Sequence, residues 1–358
     1  MTMRKNVISL FDGMGIGLLS LINAGFGGFR YIRVEIDDKA NAAFNAWFTP
    51  EKLKDLDIEV VSYKDVKEFP ADDQCMQMVK DQGVWLLLGG FPCTDLSVAG
   101  KQQGLYGGTR SSLFFDYVRV MQEFKPEHFL VENTPMREEF QAIINKHLNA
   151  TPTMIDSADF SAQSRKRLYW SNIDYPKTWS KSTQTTEDIL EESVDDKYYV
   201  EPKRAVQICD NECKKHKIAY IGDDRSANRI YNIHGKSVTL IANGGGGGAK
   251  TGLYAIPCLS PDRVEKRQNG RRFKPPQSKF YTLTTIDRHG VLQGNYIRKL
   301  TPVECERLQG WPDGMTAGAG SDSQRYKICG NGWTEPVVRH ILGSLKEKDE
   351  SFLQKTLF

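Results

Sequence analysis

The N-terminal part of the chain alternates short apolar runs with stretches of helical period, and no other feature restricts its fold as much. NVISLF (6–11) has the composition of a buried strand and runs through glycines into LLSLINAG, a short helix stopped at Gly25. YIRVEI (31–36) reads as a second strand, and VWLLLGG (84–90), bounded by Gly83 and Gly89, as another. Leu113, Phe114, Tyr117, Val118, Met121 and Phe124 recur at helical spacing until Pro126, and HFLVEN (128–133) follows as a strand. This alternation predicts an α/β fold, a doubly wound, mostly parallel sheet covered by helices. Ligands of such sheets bind beyond the carboxyl ends of the strands, so the residues there are the first candidates for chemistry.

The pattern changes near residue 175. Residues 176–200 are polar and acidic without a clear period. From about 200 to 297 short β-like runs are separated by glycine, proline and basic residues, and five successive glycines at 244–248 require a loop or a close backbone approach. A second, smaller, irregular β-rich domain is expected there. The reading is a first domain over 1–175, the second over 176–317, and a segment 318–358 that returns to the first. RKLTPVECERLQG (298–310) predicts a helix entered through Thr301, with Pro302 first and Glu304 in its first turn. PVVRHILGSLKEK (336–348) predicts a last amphipathic helix.

A chain of 358 residues, 39% apolar and 26% charged, has the length and composition for a full core, which excludes disordered, collagen-like and disulfide-stapled classes. No apolar run approaches the ~18 residues of a membrane span, and the start lacks a signal-peptide cleavage pattern. Seven cysteines, an odd number, fit a reduced, cytoplasmic protein. Cys209, Cys213 and His216 are spaced as partial metal ligands, but a zinc site needs a fourth, such as Cys258, and no metal is expected. The net charge of +3 is uninformative. Its distribution says more: residues 262–299 hold ten Lys or Arg against three acids, interleaved with Phe273, Phe280, Tyr281 and Tyr296, as on a nucleic-acid surface.

Four motifs fall where a doubly wound sheet binds ligands. FDGMGIG (11–17) joins the first strand to its helix, and Glu35, which ends the second strand, can accept hydrogen bonds from ribose hydroxyls. Gly13, Gly15 and Gly17 alternate, which is not the dinucleotide spacing. Cys93 follows a buried strand and a proline, in a polar loop rich in glycine with Lys101 and Arg110, where a thiolate nucleophile under a lid would sit. Glu132 and Asn133 end another strand on the same edge, and a carboxyl in a partly dry site can donate a proton. In SAQSRKRLYW (161–170), Gln163, Arg165 and Arg167 alternate and in extended backbone share a face. Each has a plainer alternative: a simple turn, a small buried thiol, a strand-end polar pair, a basic surface strip.

Taken together and in this order, F-x-G-x-G, P-C, E-N, Q-x-R-x-R, RKLTPVECERLQGWP and a late G-N resemble the cytosine-C5 DNA methyltransferases, over most of residues 5–175 and 296–345. The resemblance implies a Rossmann-like, S-adenosylmethionine-dependent methyltransferase domain and a target-recognition domain in the middle region. It implies methyl transfer to C5 of a flipped cytosine in double-stranded DNA through a covalent Cys93–C6 adduct. By the same resemblance Phe11, Asp12, Gly13, Met14, Gly15 and Gly17 form the cofactor loop. Glu35 binds the ribose with Ile36 beside it, Asp65 meets the adenine amine next to Val66, and Gly90, Pro92 and Leu113 line the cofactor. Glu132 is the acid at cytosine N3 with Asn133 its partner. Gln163, Arg165 and Arg167 steady the cysteine loop and the base, and Asn331, Gly332 and Trp333 lie near the methionine end. Ser97, Lys101, Arg110, Thr239, Arg271 and Arg272 are the DNA-binding candidates.

Two departures stand out. Thr94 follows Cys93 where the family often has glutamine, and Trp333 is bulkier than the small residue of many members; the stretch after it, with PVVRHIL, is similar to the de novo animal branch. The layout resembles that of a bacterial or phage enzyme, which implies a DNA-associated monomer in the cytoplasm, without an obligate protein partner, linked to restriction–modification or to a phage. The rival classes are an RNA cytosine methyltransferase, a DNA-binding protein with a decayed site, and a nicotinamide dehydrogenase. Intact Cys93, Glu132 and Arg167 speak against the second, and the glycine spacing against the third.

Overall fold

The computed structural model describes residues 4–93, 95–96, 104–106, 110–199, 217–220, 229–231, 255–259, 273–274, 278–283, 289–293 and 296–346. The chain divides into two compact units, one of residues 1–157, 166–180 and 315–358, the other of residues 158–165 and 181–314.

The first unit is built on a seven-stranded sheet. Its strands are β1 (Lys5–Leu10), β2 (Phe29–Val34), β3 (Glu59–Tyr63), β4 (Leu86–Gly89), β5 (His128–Asn133), β6 (Thr153–Asp156) and β7 (Lys166–Ser171), in the order β3-β2-β1-β4-β5-β7-β6. The strands from β3 to β5 are parallel, and β7 runs antiparallel to both β5 and β6. The order reverses between β1 and β4, the switch point at which such sheets open a crevice. This is the doubly wound, mostly parallel sheet that the alternation predicts, in the Rossmann-like form that the resemblance implies.

Helices complete the unit: α1 (Ile16–Asn23), α2 (Asp38–Trp47), α3 (Pro50–Asp55), α4 (Gln74–Gln82), α5 (Phe114–Phe124) and α6 (Glu138–Leu148). FRYIRV of β2 is buried throughout, as expected of a parallel strand covered on both faces. Asp37 caps α2 through the amides of Lys39 and Ala40, and Thr49 caps α3 ahead of Pro50. α5 ends where Lys125 turns left-handed, one residue before Pro126. The core on one face of the sheet joins Ile8, Leu10, Ile32, Leu87, Phe114 and Trp170. Among the described residues no helix is long and apolar enough to cross a membrane.

The second unit contains a three-stranded antiparallel sheet of β10 (Ala255–Leu259), β11 (His289–Gln293) and β12 (Tyr296–Lys299), and a two-stranded sheet of β8 (Lys217–Tyr220) and β9 (Arg229–Tyr231). The predicted helix after β12 is α7 (Pro302–Leu308), opened by a capping box between Thr301 and Glu304. Glu304 is fully buried and accepts both guanidinium ends of Arg298, at 2.8 and 2.7 Å, together with the amides of Thr301 and Glu191. Those bonds offset the desolvation of a buried ion pair. The chain ends its described part with α8 (Asp322–Asn331) and α9 (Glu335–Gly343), in the first unit.

The five glycines, Thr239, Arg271, Arg272, Ser97, Lys101 and the Cys209–Cys213–His216 cluster lie outside the described residues, as does most of the predicted lid after Cys93.

Candidate active site

The parallel register brings the strand ends to one edge. Leu10 pairs with Val34 on one side and Gly89 on the other, and Gly89 pairs with Val131. Phe11–Gly17, Glu35–Ile36, Asp65–Val66, Gly90–Cys93 and Glu132–Asn133 all follow or end strands of this edge.

The loop after β1 turns through left-handed backbone at Phe11 (φ 57°), Gly13 (φ 59°) and Gly15 (φ 85°). A side chain at Gly13 would meet open space, whereas one at Gly15 would come within 2.6 Å of Phe44. The loop thus rests on Phe44 and leaves its Gly13 side clear. Glu35 reaches across from β2. Its Oε2 accepts the Gly13 amide and its Oε1 the Asp37 amide, both at 2.7 Å. Burial pushes the Glu35 carboxyl above the ordinary carboxylate range, against the downward pull of those amides. Ile36 beside it is 62% exposed, an apolar surface on a polar edge.

Two members of the expected cofactor loop point elsewhere. Met14 is buried in the core. Asp12 spends both oxygens inside the fold, on Ser9 (2.7 Å), Tyr31 (2.5 Å) and Arg33 (2.7 Å). Its carboxylate supports the loop from below. Further along the edge, Asp65 Oδ1 accepts the Lys67 amide at 2.9 Å and Val66 is buried. Arg119 of α5 holds this turn by donating to the carbonyls of Val66 (2.7 Å) and Phe69 (2.6 Å).

Cys93 is half-buried and reduced. Three successive carbonyls around it are anchored: Phe91 O accepts Asn133 Nδ2 (3.0 Å), Pro92 O accepts Ser111 Oγ (2.9 Å), and Cys93 O accepts the Leu96 amide (3.1 Å). Asp95 and Ser111 also exchange backbone-to-side-chain bonds at 3.3 Å. The thiol is therefore carried on a fixed turn, as a nucleophile needs. Asn133, expected to partner Glu132, instead binds the cysteine turn to β5. Ser111 and Asp95 escaped the sequence reading, because their partners are chosen by folding and no local pattern marks them.

Glu132 lies opposite Tyr169 across β5 and β7, which puts Arg167 at the diagonal position on the same face. Arg167 Nε meets Glu132 Oε1 at 2.9 Å, with the two side chains only 12% and 11% exposed. An acid and a guanidinium are thus paired at the sheet edge.

The Q-x-R-x-R motif does not form one strand face. β7 begins at Lys166, and Gln163 and Arg165 precede it in the second unit. Neither is a surface basic strip: both are buried. Ser164 N, Thr282 Oγ1 and Arg165 Nη1 tie this segment to Phe280 O, Ser164 O and Leu283 O, at 3.1, 2.6 and 2.8 Å. Both amide atoms of Gln163 are buried without a hydrogen-bond partner among the described residues. Such a group costs about 1–3 kcal/mol unless something binds it. Gln163→Leu should therefore raise the unfolding free energy by about that amount while lowering turnover. Denaturant unfolding beside a rate assay checks both, and a leucine variant that is neither more stable nor slower refutes the expectation.

At the end of α8, Asn331 is exposed and Gly332 N donates to Ile328 O at 2.9 Å. The Trp333 indole lies so close to Gly90 that a Cβ there would stand 2.7 Å from Nε1. Glycine at 90 is what admits the bulky side chain. Leu113 is half-buried against the core and Arg110 is exposed. Among the described residues no cluster of His, Cys, Asp and Glu could hold a metal ion.

A model of the family described as C-5 cytosine-specific DNA methylase matches residues 5–347. The orphan methyltransferase M.SPRI of Bacillus phage SPR is 30% identical, covering 96% of this chain and 97% of its own. The type II methyltransferase M.HhaI of Haemophilus parahaemolyticus is 27% identical over 72% of this chain and 74% of its own. Among solved structures, a prophage-encoded E. coli protein described as a DNA modification methyltransferase superposes with a TM-score of 0.60 at 22% identity, covering 96% of this chain and 99% of that one. Dnmt2 of S. pombe superposes at 0.56 with 16% identity and the same coverage. At those identities the structures bear on the fold alone.

Proposed function

The chain belongs to the C-5 cytosine-specific DNA methylase family of S-adenosylmethionine-dependent DNA methyltransferases, and from that premise we propose that it methylates C5 of a flipped cytosine in double-stranded DNA through a covalent Cys93–C6 adduct. The observation that carries this reading is the convergence on one sheet edge of the anchored Cys93 turn and the Glu132–Arg167 pair.

The loop after β1 fits the cofactor. Gly13 leaves its outer side clear, Glu35 offers a half-buried carboxylate to ribose hydroxyls, and exposed Ile36 offers an apolar face to the adenine, with Asp65 beyond it. When bound there, S-adenosylmethionine supplies an electrophilic methyl group for C5. Cys93 Sγ, as thiolate, adds to C6, and the displaced electron pair makes C5 nucleophilic. Glu132 holds a proton at N3 and Arg167 lies at O2, so that charge building on the ring is neutralised. Once C5 carries the methyl group, solvent water takes the C5 proton and the C5–H electron pair forms the C5=C6 double bond as the C6–Sγ bond breaks, which restores the aromatic ring and the free thiolate. For Glu132 and Arg167 to serve the base, their mutual bond gives way to bonds with the pyrimidine edge.

Target recognition is assigned to the second unit, with Thr239, Arg271 and Arg272 as its DNA contacts and Ser97, Lys101 and Arg110 as those of the cysteine loop. The protein is read as a monomer acting on DNA in a bacterial or phage-infected cytoplasm.

Incubation with duplex DNA and labelled S-adenosylmethionine, followed by base-resolution mapping, tests the reading. Label at cytosine C5 within one short motif supports it. Label on RNA and none on DNA, or none on either, overturns it.

Glu35 gives a pH-dependent test of the cofactor site. Its carboxyl protonates at a higher pH than an exposed glutamate, and protonation turns one oxygen into a hydroxyl and so weakens an amide bond from Gly13 or Asp37. Cofactor affinity is therefore full above this raised pKa and falls as the pH drops through it, starting above the ordinary glutamate range. Glu35→Ala should weaken binding about 10–100-fold and remove that dependence. Calorimetric titration across pH decides, and an unchanged dissociation constant removes Glu35 from the site.

A further inference from the structure

Arg33 is the next-to-last residue of β2, a buried strand, and its guanidinium side chain is only 2% exposed. Its Nε donates to Asp12 Oδ2 at 2.7 Å, one Nη to Gly13 O at 2.7 Å, and the other Nη to Asn41 Oδ1 at 2.6 Å. Asn41 in turn donates through Nδ2 to the main-chain carbonyl of Glu35 at 3.0 Å. The guanidinium carbon sits 3.9 Å over the ring of Phe44, the same ring that supports Gly15.

A buried arginine paired to an aspartate can be no more than a satisfied core charge, and such a pair is weak evidence of any role. Here the pair uses one edge of the guanidinium. The other nitrogens leave the core and grip both halves of the candidate cofactor pocket: the backbone of the loop after β1, and the turn that carries Glu35. Gly13 is held from both sides, its carbonyl by Arg33 and its amide by Glu35 Oε2. The fixed, planar fork of arginine can span these partners at once, whereas a lysine ammonium is a compact point charge.

We propose that Arg33 is a positioning residue for the cofactor, a buried cation that sets the distance between the Phe11–Gly17 loop and the Glu35 carboxylate. The proposal rests on the reading of that edge as the S-adenosylmethionine site. Arg33 acts through Gly13, Asp12, Asn41 and the Phe44 ring.

The test is Arg33→Lys in the full chain, beside the unaltered protein. Lysine retains a charge for Asp12 and loses the fork. The S-adenosylmethionine dissociation constant and KM should both rise about tenfold. The KM for duplex DNA and the rate at saturating cofactor should stay near those of the unaltered protein. A merely structural role would lower stability and move both substrates together, and that outcome overturns the proposal. So does an unchanged cofactor dissociation constant. If the lysine variant does not fold, Asp12→Asn with Arg33→Met removes both charges together. That double variant should fold and bind S-adenosylmethionine weakly; binding at the unaltered affinity overturns the proposal. Failure of the unaltered protein to bind S-adenosylmethionine overturns the methyl-transfer reading, and this inference falls with it.

Discussion

Cys93→Ala abolishes methyl transfer to DNA and leaves S-adenosylmethionine binding intact. The expectation follows from how the turn is built. The carbonyls of Phe91, Pro92 and Cys93 are held by Asn133, Ser111 and Leu96, and none of these bonds uses the sulfur side chain. Alanine removes Sγ and keeps the turn. Without a thiolate to add at C6, C5 of cytosine is too poor a nucleophile to take a methyl group, so no slower route survives. Label incorporation in single-turnover reactions, beside calorimetric titration of the cofactor, is the measurement. Turnover by the alanine variant at the original rate would end the covalent mechanism.

Glu132→Gln is expected to lower kcat about 10²–10⁴-fold, the range in which a positioned general acid contributes. Glutamine has the shape of glutamate and still offers an oxygen to Arg167, so the sheet edge should persist. What it loses is the exchangeable carboxyl proton for N3 and the charge that holds Arg167 Nε at 2.9 Å. The variant should still bind cofactor and DNA. Single-turnover rates at saturating concentrations of both separate this from a binding defect. A rate within a few-fold of the original protein would show that Glu132 is not the acid, and that its pair with Arg167 only ties β5 to β7.

The strands, helices and the loops between them were largely legible because their signals are local. An apolar run followed by a glycine turn reports a strand end whatever lies beside it, and in a parallel sheet all such ends share one edge. That is why Phe11, Glu35, Cys93 and Glu132 could be placed there in advance, and why Thr301, Pro302 and Glu304 announced α7. The middle region offered no such period, and its contacts with DNA stay proposals.

Partner choice was not legible in that way. Asp12 sits inside the glycine motif, yet its carboxylate turns inward because strand pairing sets Ser9, Tyr31 and Arg33 around it. Asn133 follows Glu132 in the chain but spends its amide on the turn of Cys93. Gln163 and Arg165 alternate with Arg167 in sequence, but pairing with Phe280 and Leu283 draws them into the other unit. The sequence by itself determined the alternation, the sheet edge and the chemistry-bearing residue types. The tertiary structure alone decided which of those residues face outward and which brace the site, because a buried polar group must bond to whatever the strand order places beside it.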